Sequence, residues 1–519
     1  MDEFFSLKVG SLGGIDLAIL AGSIVLLFLI AFIAGRREQS TSDFFLGQRH
    51  VPAIIACLSF VATEVSAVTI TNNPGTGFTE NLQYLQFYIG SAASKIFVAF
   101  LFLPVFYRHD CTSIYEFLRH RFGPPSQYSG SVFFFLTRLL GSGVRLLAAC
   151  WALSMILHWS LAQTLLLFTA ASIAFIAFGG IKAVVWTGTY QATVFYLAGA
   201  AVMIYLFTQI SGGFDAIGSI AGPAGRLSVF DFAPDLNRPT SFWAGTANAF
   251  FIGLAIFGTD QELVQRLLTV KTRRSSQKAI LGTIVASFPV TFMYLGIGTL
   301  LFVFFQQHAD PKLPAVAKEI FPYYIGQYLP VGLKGLVVAA ILLASIDSPL
   351  SSLSSSFVMD IYKPLIHRTG SDRHYLWVSR CGVVGFGLIL AGIAMACQRA
   401  DNILWLAFKI ISITGGSMLG VFLLGILTGR GSNAGNVAAM VINALTMTVL
   451  LALSSFGPVG LKHFLFSGSP AAPAGEAVLI PLAWSWLIVI GTGLTFLLAL
   501  VLGWKCRFKA PQADHPKPI

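Results

Sequence analysis

Residues 331–358 read VGLKGLVVAAILLASIDSPLSSLSSSFV, a run long enough to cross a bilayer whose second half nevertheless carries Asp347, Pro349 and seven serines. A hydrocarbon core takes about 20 apolar residues per helix, and the first half of the run meets that demand. Pro349 has no N–H to donate, and its ring crowds the carbonyl four residues back, that of Ser345. A carbonyl released in this way can face an ion. The hydroxyls of Ser345, Ser348 and Ser352 follow at helical spacing, with Asp347, Ser351 and Ser354 on a second stripe roughly 100° away. Ligands made only of oxygen suit a hard cation such as sodium. Ser354 to Ser356 fit better as hydroxyls that let helices approach closely or bond back to their own carbonyls.

The rest of the chain has the same character. Of its 519 residues, 55% are hydrophobic and 11% charged, far from a soluble domain. Thirteen apolar segments are expected to span, at roughly 13–35, 51–74, 82–107, 127–157, 160–180, 183–209, 241–265, 278–306, 331–358, 376–397, 403–428, 432–455 and 480–504. They lack the inside/outside alternation of a barrel, so the fold class is an all-α integral membrane bundle. The first segment reads as an uncleaved anchor, because Asp2 and Glu3 precede it and Arg36 and Arg37 follow.

With the N-terminus outside, cytoplasmic loops such as YRHDCTSIYEFLRHRFG and QRLLTVKTRRSSQK, together with the C-terminal tail, collect about 20 basic residues against about 8 outside. This predicts a multi-pass protein of the plasma membrane with a cytoplasmic C-terminus. It also accounts for the net charge of +11 without nucleic acid, since the basic residues are scattered over short loops. The six cysteines show no metal spacing, and no phosphate loop, H-E-x-x-H or G-x-S-x-G occurs. An enzyme is therefore not expected, nor an organic cofactor. Transport of a small-molecule substrate remains.

Ionisable groups at membrane depth cost at least ~2.5 kcal/mol on insertion scales, so each one is a functional candidate. Glu64, Arg138, Arg145, Asp260 and Asp347 stand out. The stretch CLSFVATEVSAVTITNNPGTG places Glu64, Ser66 and Thr69 near mid-membrane and then reaches NNPG, which reads as a helix end. FWAGTANAFFIGLAIFGTDQ reads as interrupted at Gly245, Gly253 and Gly258. Broken helices at corresponding positions of two halves mark the site of many secondary transporters, which predicts repeats over 51–209 and 241–428. Residues 1–50 then form an extra N-terminal helix and loop, and 432–519 form two further helices and a tail, all within one integral domain.

The motifs FFLGQRH, LSFVATEVSAVT, GGIKAVVWTGTYQ, GTDQELVQR, SSLSSSFVMDIYKP and GGSMLGVFLLGIL together resemble the sodium/solute symporter family, which includes sodium/glucose, sodium/proline, sodium/sialate and sodium/monocarboxylate transporters. The resemblance covers nearly the whole chain. It implies the leucine-transporter fold, five helices plus five inverted, and a sodium site of the carbonyls of Ala62, Val65 and Ile341 with the hydroxyl of Ser345. It departs from the pattern at Ala344, where sugar and proline symporters carry a second hydroxyl, and at Gly188, where several members carry an aspartate. Asp347 stands as the replacement for that aspartate, in a second ion site with Ser345 and Ser348.

For the substrate, the resemblance implies contacts from Ser66 and Thr69 and a carboxylate clamp at Arg145, with Glu64, Gln83 and Gln86 on the polar rim. Ile256 and Ile411 replace the gate tyrosine and sugar-binding glutamine of hexose carriers. Arg145 reads equally well as a partner for Glu64 or for helix-end carbonyls. The expected function is sodium-coupled import of a small carboxylate by alternating access. The alternatives are a proton-coupled carrier, a symporter of a neutral solute such as a sugar and, from another class, a transporter-like sensor.

Overall fold

The computed structural model describes residues 12–35, 45–178, 180–235, 238–346, 349–398, 403–467 and 483–506, with backbone alone at 67–68, 175, 177–178, 345–346, 403–410 and 452–467. The described elements are helical. Among the described residues, nine helices are long and apolar enough to span, ten if one bent pair counts as a single span, against the thirteen expected. Three further apolar helices, Leu161–Ala174, Leu333–Ala344 and Ile411–Leu427, are shorter over their described residues.

In chain order they are α1 (Gly14–Gly35), α2 (Ala53–Glu64), α3 (Ala67–Thr79), α4 (Phe87–Phe97), α5 (Tyr115–Arg121), α6 (Pro124–Leu157), α7 (Leu161–Phe178) and α8 (Ile181–Thr208). The second series is α9 (Phe242–Thr259), α10 (Gln261–Leu268), α11 (Arg273–Gln307), α12 (Ala317–Gln327), α13 (Leu333–Ile346) and α14 (Leu350–Ser356). It ends with α15 (Asp372–Ala396), α16 (Ile403–Leu427), α17 (Asn433–Ser467) and α18 (Leu487–Leu502).

The outer surface is apolar: Val285 is 78% exposed and Val501 69%, with Phe32, Leu166 and Leu388 also turned outward. Such a surface is stable against lipid tails and not against water. Inside, two apolar clusters share α2, which gives Phe60 to one and Val61 and Ala62 to the other. Close approach is set by small residues, as expected where lipid supplies no hydrophobic drive between helices. A Cβ at Gly75 would run into the Ala317 carbonyl of α12, and one at Gly77 into the Leu295 carbonyl of α11.

The expected helix end at NNPG is therefore not observed. α3 runs through Pro74 to Thr79, and its glycines serve packing. The glycines of α9 likewise do not break it. Gly245 faces Phe87, Gly253 faces Ser94 and Gly258 faces Phe102, so they seat α9 against α4 and the turn that follows it.

The first helix is tied to α13 by one buried carboxylate. Asp16 Oδ1 accepts from Gly332 N at 2.7 Å and Gly335 N at 2.8 Å, and Oδ2 accepts from Gly13 N at 2.9 Å. These are orphan amides of a helix start, where negative charge is also favoured by the dipole.

Candidate substrate and ion site

The chain leaves helical geometry at two places within the bundle. Between α2 and α3, Val65 has φ −81° and ψ 106°, and Ser66 has φ −105° and ψ 175°. Between α9 and α10, Asp260 has φ −103° and ψ 122°. Local chemistry explains both breaks. Ser66 and Thr69 form a reciprocal capping box, with Ser66 N–H donating to Thr69 Oγ1 at 3.4 Å. Asp260 caps α10 by accepting from Glu262 N at 2.9 Å.

The capping box has a consequence for carbonyls. In a continuous helix, Ala62 O would accept from Ser66 N–H and Val65 O from Thr69 N–H. Both donors are turned to side chains instead. The carbonyls of Ala62 and Val65, two of the oxygens expected to hold sodium, thus lose their helical donors. Ala62 shares a small cavity of about 30 Å³ with Ala344, Pro349, Ser142, Thr169 and Ser172. Ile341 is fully buried on α13. Asp347, Ser348 and the Ser345 side chain lie outside the described residues. Ser354 and Ser355 donate to the carbonyls of Ser379 at 2.6 Å and Ser352 at 3.0 Å.

A larger cavity, about 230 Å³, opens between the two breaks. Glu64, Val65, Ser66, Thr69 and Asn73 line it from the first broken helix, and Ile252, Ile256, Phe257 and Asp260 from the second. Arg138, Gly141 and Arg145 of α6, Ser287 and Thr291 of α11, and Tyr84, Phe87, Tyr88 and Ser91 also line it, with Ile411. Ile256 and Ile411 are apolar members of its lining, at the two positions expected to carry a tyrosine and a glutamine in a hexose carrier.

Its charges are organised in pairs. Glu64 Oε2 accepts from Lys95 Nζ at 2.8 Å and from Ser287 Oγ at 2.6 Å. Lys95 is fully buried, with its ammonium 5.0 Å from the Phe257 ring centroid and 5.9 Å from that of Tyr88. Arg138 binds Asp260 through Nη2 and Glu262 through Nη1, the latter at 2.8 Å. Arg266 donates from Nη1 to Glu262 O at 2.7 Å and from Nε to Ser59 Oγ at 3.2 Å. Arg145 donates from Nη2 to Thr63 O at 2.5 Å, at the carbonyl end of α2, and lines both cavities.

Gln83 and Gln86 fall elsewhere. Gln83 Nε2 donates to Ser228 Oγ, while Gln86 donates to Thr240 O and accepts from Asp231 N, so both amides hold the 228–240 loop and neither lines the cavity. Gly188 also lines neither cavity. A Cβ there would lie 2.6 Å from Ser59 Oγ and 3.1 Å from Ser59 Cα. The aspartate of other members has no room here. Gly188→Asp is expected to destabilise by ~1–3 kcal/mol through overpacking, read as a lower melting temperature of the purified protein. An unchanged melt would show that α2 and α8 can part at no cost.

Sequence reasoning passed over Lys95, Glu262, Arg266, Asn73 and Asp16. Lys95 carried a usable signal, a single lysine inside the apolar run GSAASKIFVAF. Glu262 and Arg266 look like loop charges until α10 buries them beside Arg138 and Ser59.

Two interrupted helices around a cavity near mid-bundle, within an apolar outer surface, define a secondary transporter of the broken-helix type. Residues 44–443 match the model of the sodium:solute symporter family, and the chain belongs to that family. It is 26% identical over 432 residues to sodium-coupled monocarboxylate transporter 2 of Mus musculus, covering 82% of this chain and 69% of that one. It is 27% identical over 489 residues to the sodium/sialic acid symporter SiaT of Proteus mirabilis, covering 90% and 96%. Among solved structures, a Na+-coupled sialic acid symporter in a substrate-bound outward-open state superposes with a TM-score of 0.78 at 23% identity, covering 94% and 97%. A nucleobase-cation-symport-1 family transporter superposes at 0.53 and 13% identity, covering 89% and 94%. The fold is the leucine-transporter fold.

Proposed function

We propose that the protein is a sodium-coupled symporter that imports a small organic carboxylate by alternating access. The observation that carries this reading is the first helix break. It releases the carbonyls of Ala62 and Val65 toward a cation, and it presents the N-terminus of α3, with Ser66, Thr69 and the Arg145 guanidinium, to an anion. One break thus serves both co-transported species, which is the geometry coupling requires. Relatives named for sodium-coupled monocarboxylate and sialic acid transport support the same class.

In this reading Ala62, Val65, Ile341 and Ser345 hold sodium, with Asp347 and Ser348 adding a second set of oxygens. Ser66, Thr69 and Arg145 receive the carboxylate, while Glu64 shapes the rim. Repeats over 51–209 and 241–428 move against each other, and positive residues keep the C-terminus on the cytoplasmic side of the plasma membrane. A proton-coupled carrier is less well supported, because Glu64 is engaged by Lys95 and Ser287. The apolar wall at Ile256 and Ile411 weighs against a sugar.

The deciding experiment is uptake of a carboxylate panel by proteoliposomes with and without an inward sodium gradient. Arg145→Lys keeps the charge and loses the planar fork, so KM for the acid is expected to rise about tenfold with half-saturating sodium unchanged. Arg145→Gln is expected to lose anionic substrates selectively. Normal uptake by the Gln variant would make Arg145 a support for Thr63 O alone and a neutral solute the better reading.

A further inference from the structure

Asp360 lies beyond the spanning run at 331–358, in a wider helical turn over Phe357–Ile366 that continues α14. It is fully buried and belongs to none of the ion pairs among the described residues. Neutral donors hold it instead: Oδ2 accepts from Ser113 Oγ at 2.8 Å, and Oδ1 from Gln127 Nε2 at 2.9 Å. A buried carboxylate without a cation is costly in its charged form. Burial, opposed by those two bonds and aided by the Glu116 carboxylate, pushes this one up to about 7. Tyr115 and Glu116 of α5 are the titratable groups that face it, and α6 offers Gln127 and Ser131. On its own turn and on α15, Lys363 lies over the Tyr375 ring and His374 is bonded to Tyr362 Oη, while Arg373 and Arg380 are exposed.

What Asp360 holds is the turn before α5, and that turn grips the second helix break. Ile114 N donates to Gln261 Oε1 at 2.9 Å, Gln261 Nε2 donates to Thr112 O at 3.1 Å, and Tyr115 Oη donates to Thr259 O at 3.1 Å. Thr259 ends α9 and Gln261 starts α10, so the three bonds bracket Asp260. Ser113 sits among the gripping residues with its own hydroxyl committed to Asp360. Contacts thus run from the helix after Pro349, through Asp360 and Ser113, to the break at Asp260.

We infer that Asp360 is a positioning residue for the α10 end of the cavity, and that a proton on it tightens this end while loss of the proton loosens it. This rests on the alternating-access reading of the site. Protonated, Asp360 keeps both partners: its O–H donates to Ser113 Oγ, and its other oxygen still accepts from Gln127. Ionised, it gains from water, which enters when this end opens. A hydrated aspartate titrates at about 4. The closed form therefore binds the proton more tightly, and acid favours closure. Closure weakens by up to about tenfold per pH unit between that value and about 7, and is level above.

The test uses Gly141→Cys, a cavity position with room for a side chain, as reporter in the full-length protein with Cys381, Cys397 and Cys506 removed. In proteoliposomes, a membrane-impermeant methanethiosulfonate is applied from the α10 side over about pH 5.5 to 8. Each rate is divided by that of the denatured protein at the same pH, which removes the thiol's own titration. The normalised rate is expected to rise at least about fivefold from pH 5.5 to 7 and to stay level to pH 8. Asp360→Asn, neutral at every pH and of the same shape, is expected to stay slow throughout. Gln127→Met removes one donor to the charged form and is expected to move the break in the profile to higher pH. It serves alone if the asparagine variant does not fold. A flat profile without either substitution, a profile that persists in Asp360→Asn, or a break unmoved in Gln127→Met overturns the inference. Failure of alternating access itself looks different and takes the inference with it: the reporter's rate then ignores added sodium in every protein at every pH.

Discussion

Lys95→Met is expected to remove sodium-driven uptake and to lower stability by ~1–3 kcal/mol, because it leaves the Glu64 carboxylate, partly buried at the cavity wall, with the Ser287 hydroxyl as its one remaining donor among the described residues. Against a native stability of about 5–15 kcal/mol, that is a large fraction. Uptake suffers a second time, since an unbalanced carboxylate on the cavity wall repels an anionic substrate. Glu64→Gln alone strands the ammonium of Lys95, which is fully buried, and is expected to cost a similar amount. The double variant Glu64→Gln with Lys95→Met has no buried charge left to neutralise. It is expected to recover most of the lost stability and to transport within about tenfold of wild type. Thermal melts and proteoliposome uptake on all four proteins close the cycle. Losses that simply add would mean the two side chains do not interact in the working protein.

How far the sequence speaks for this site depends on what each residue signals locally. Composition and run length are enough for a helical bundle in lipid, and the motifs are enough for the leucine-transporter fold. Glu64, Ser66, Thr69, Arg138, Arg145 and Asp260 are polar groups in apolar runs, and all six line one cavity. Glycine and proline mislead about where the helices break. Pro74, Gly75 and Gly77 sit inside α3 because neighbouring backbones press on it, and Gly253 and Gly258 sit inside α9 because side chains of α4 and the turn after it press there. The real breaks are made by side chains that outcompete the helix for its own amides, Ser66 with Thr69 and Asp260. That competition is visible only as S-x-x-T and D-x-E, patterns too common to single out. Pairing is less legible still. Lys95 and Glu64 stand 31 positions apart, and nothing in either helix announces the other.

The last expectation concerns the end of the cavity closed by α10. Arg138 and Arg266 face Asp260 and Glu262 there, two cations against two carboxylates, all with side chains no more than 9% exposed. Arg138 belongs to α6 and the carboxylates to the second broken helix, so this cluster joins an unbroken helix to one that alternating access must move. Arg138→Gln leaves one uncompensated charge and is expected to destabilise by ~3–5 kcal/mol. Adding Asp260→Asn restores neutrality, and folding is expected to return. The gate is not expected to return with it, because the fork that spanned both partners is gone. Gly141 provides the reporter position: it lines the cavity, and a Cβ there meets nothing within 4 Å, so Gly141→Cys is tolerated. With Cys381, Cys397 and Cys506 removed, a membrane-impermeant maleimide applied from the α10 side should label the introduced thiol slowly when the gate is otherwise wild type. Labelling is expected to be at least tenfold faster when Arg138→Gln and Asp260→Asn are added. Equal rates in both would mean that packing, not the ion cluster, closes this end, and the cluster would then serve only to hold α10 beneath the cavity.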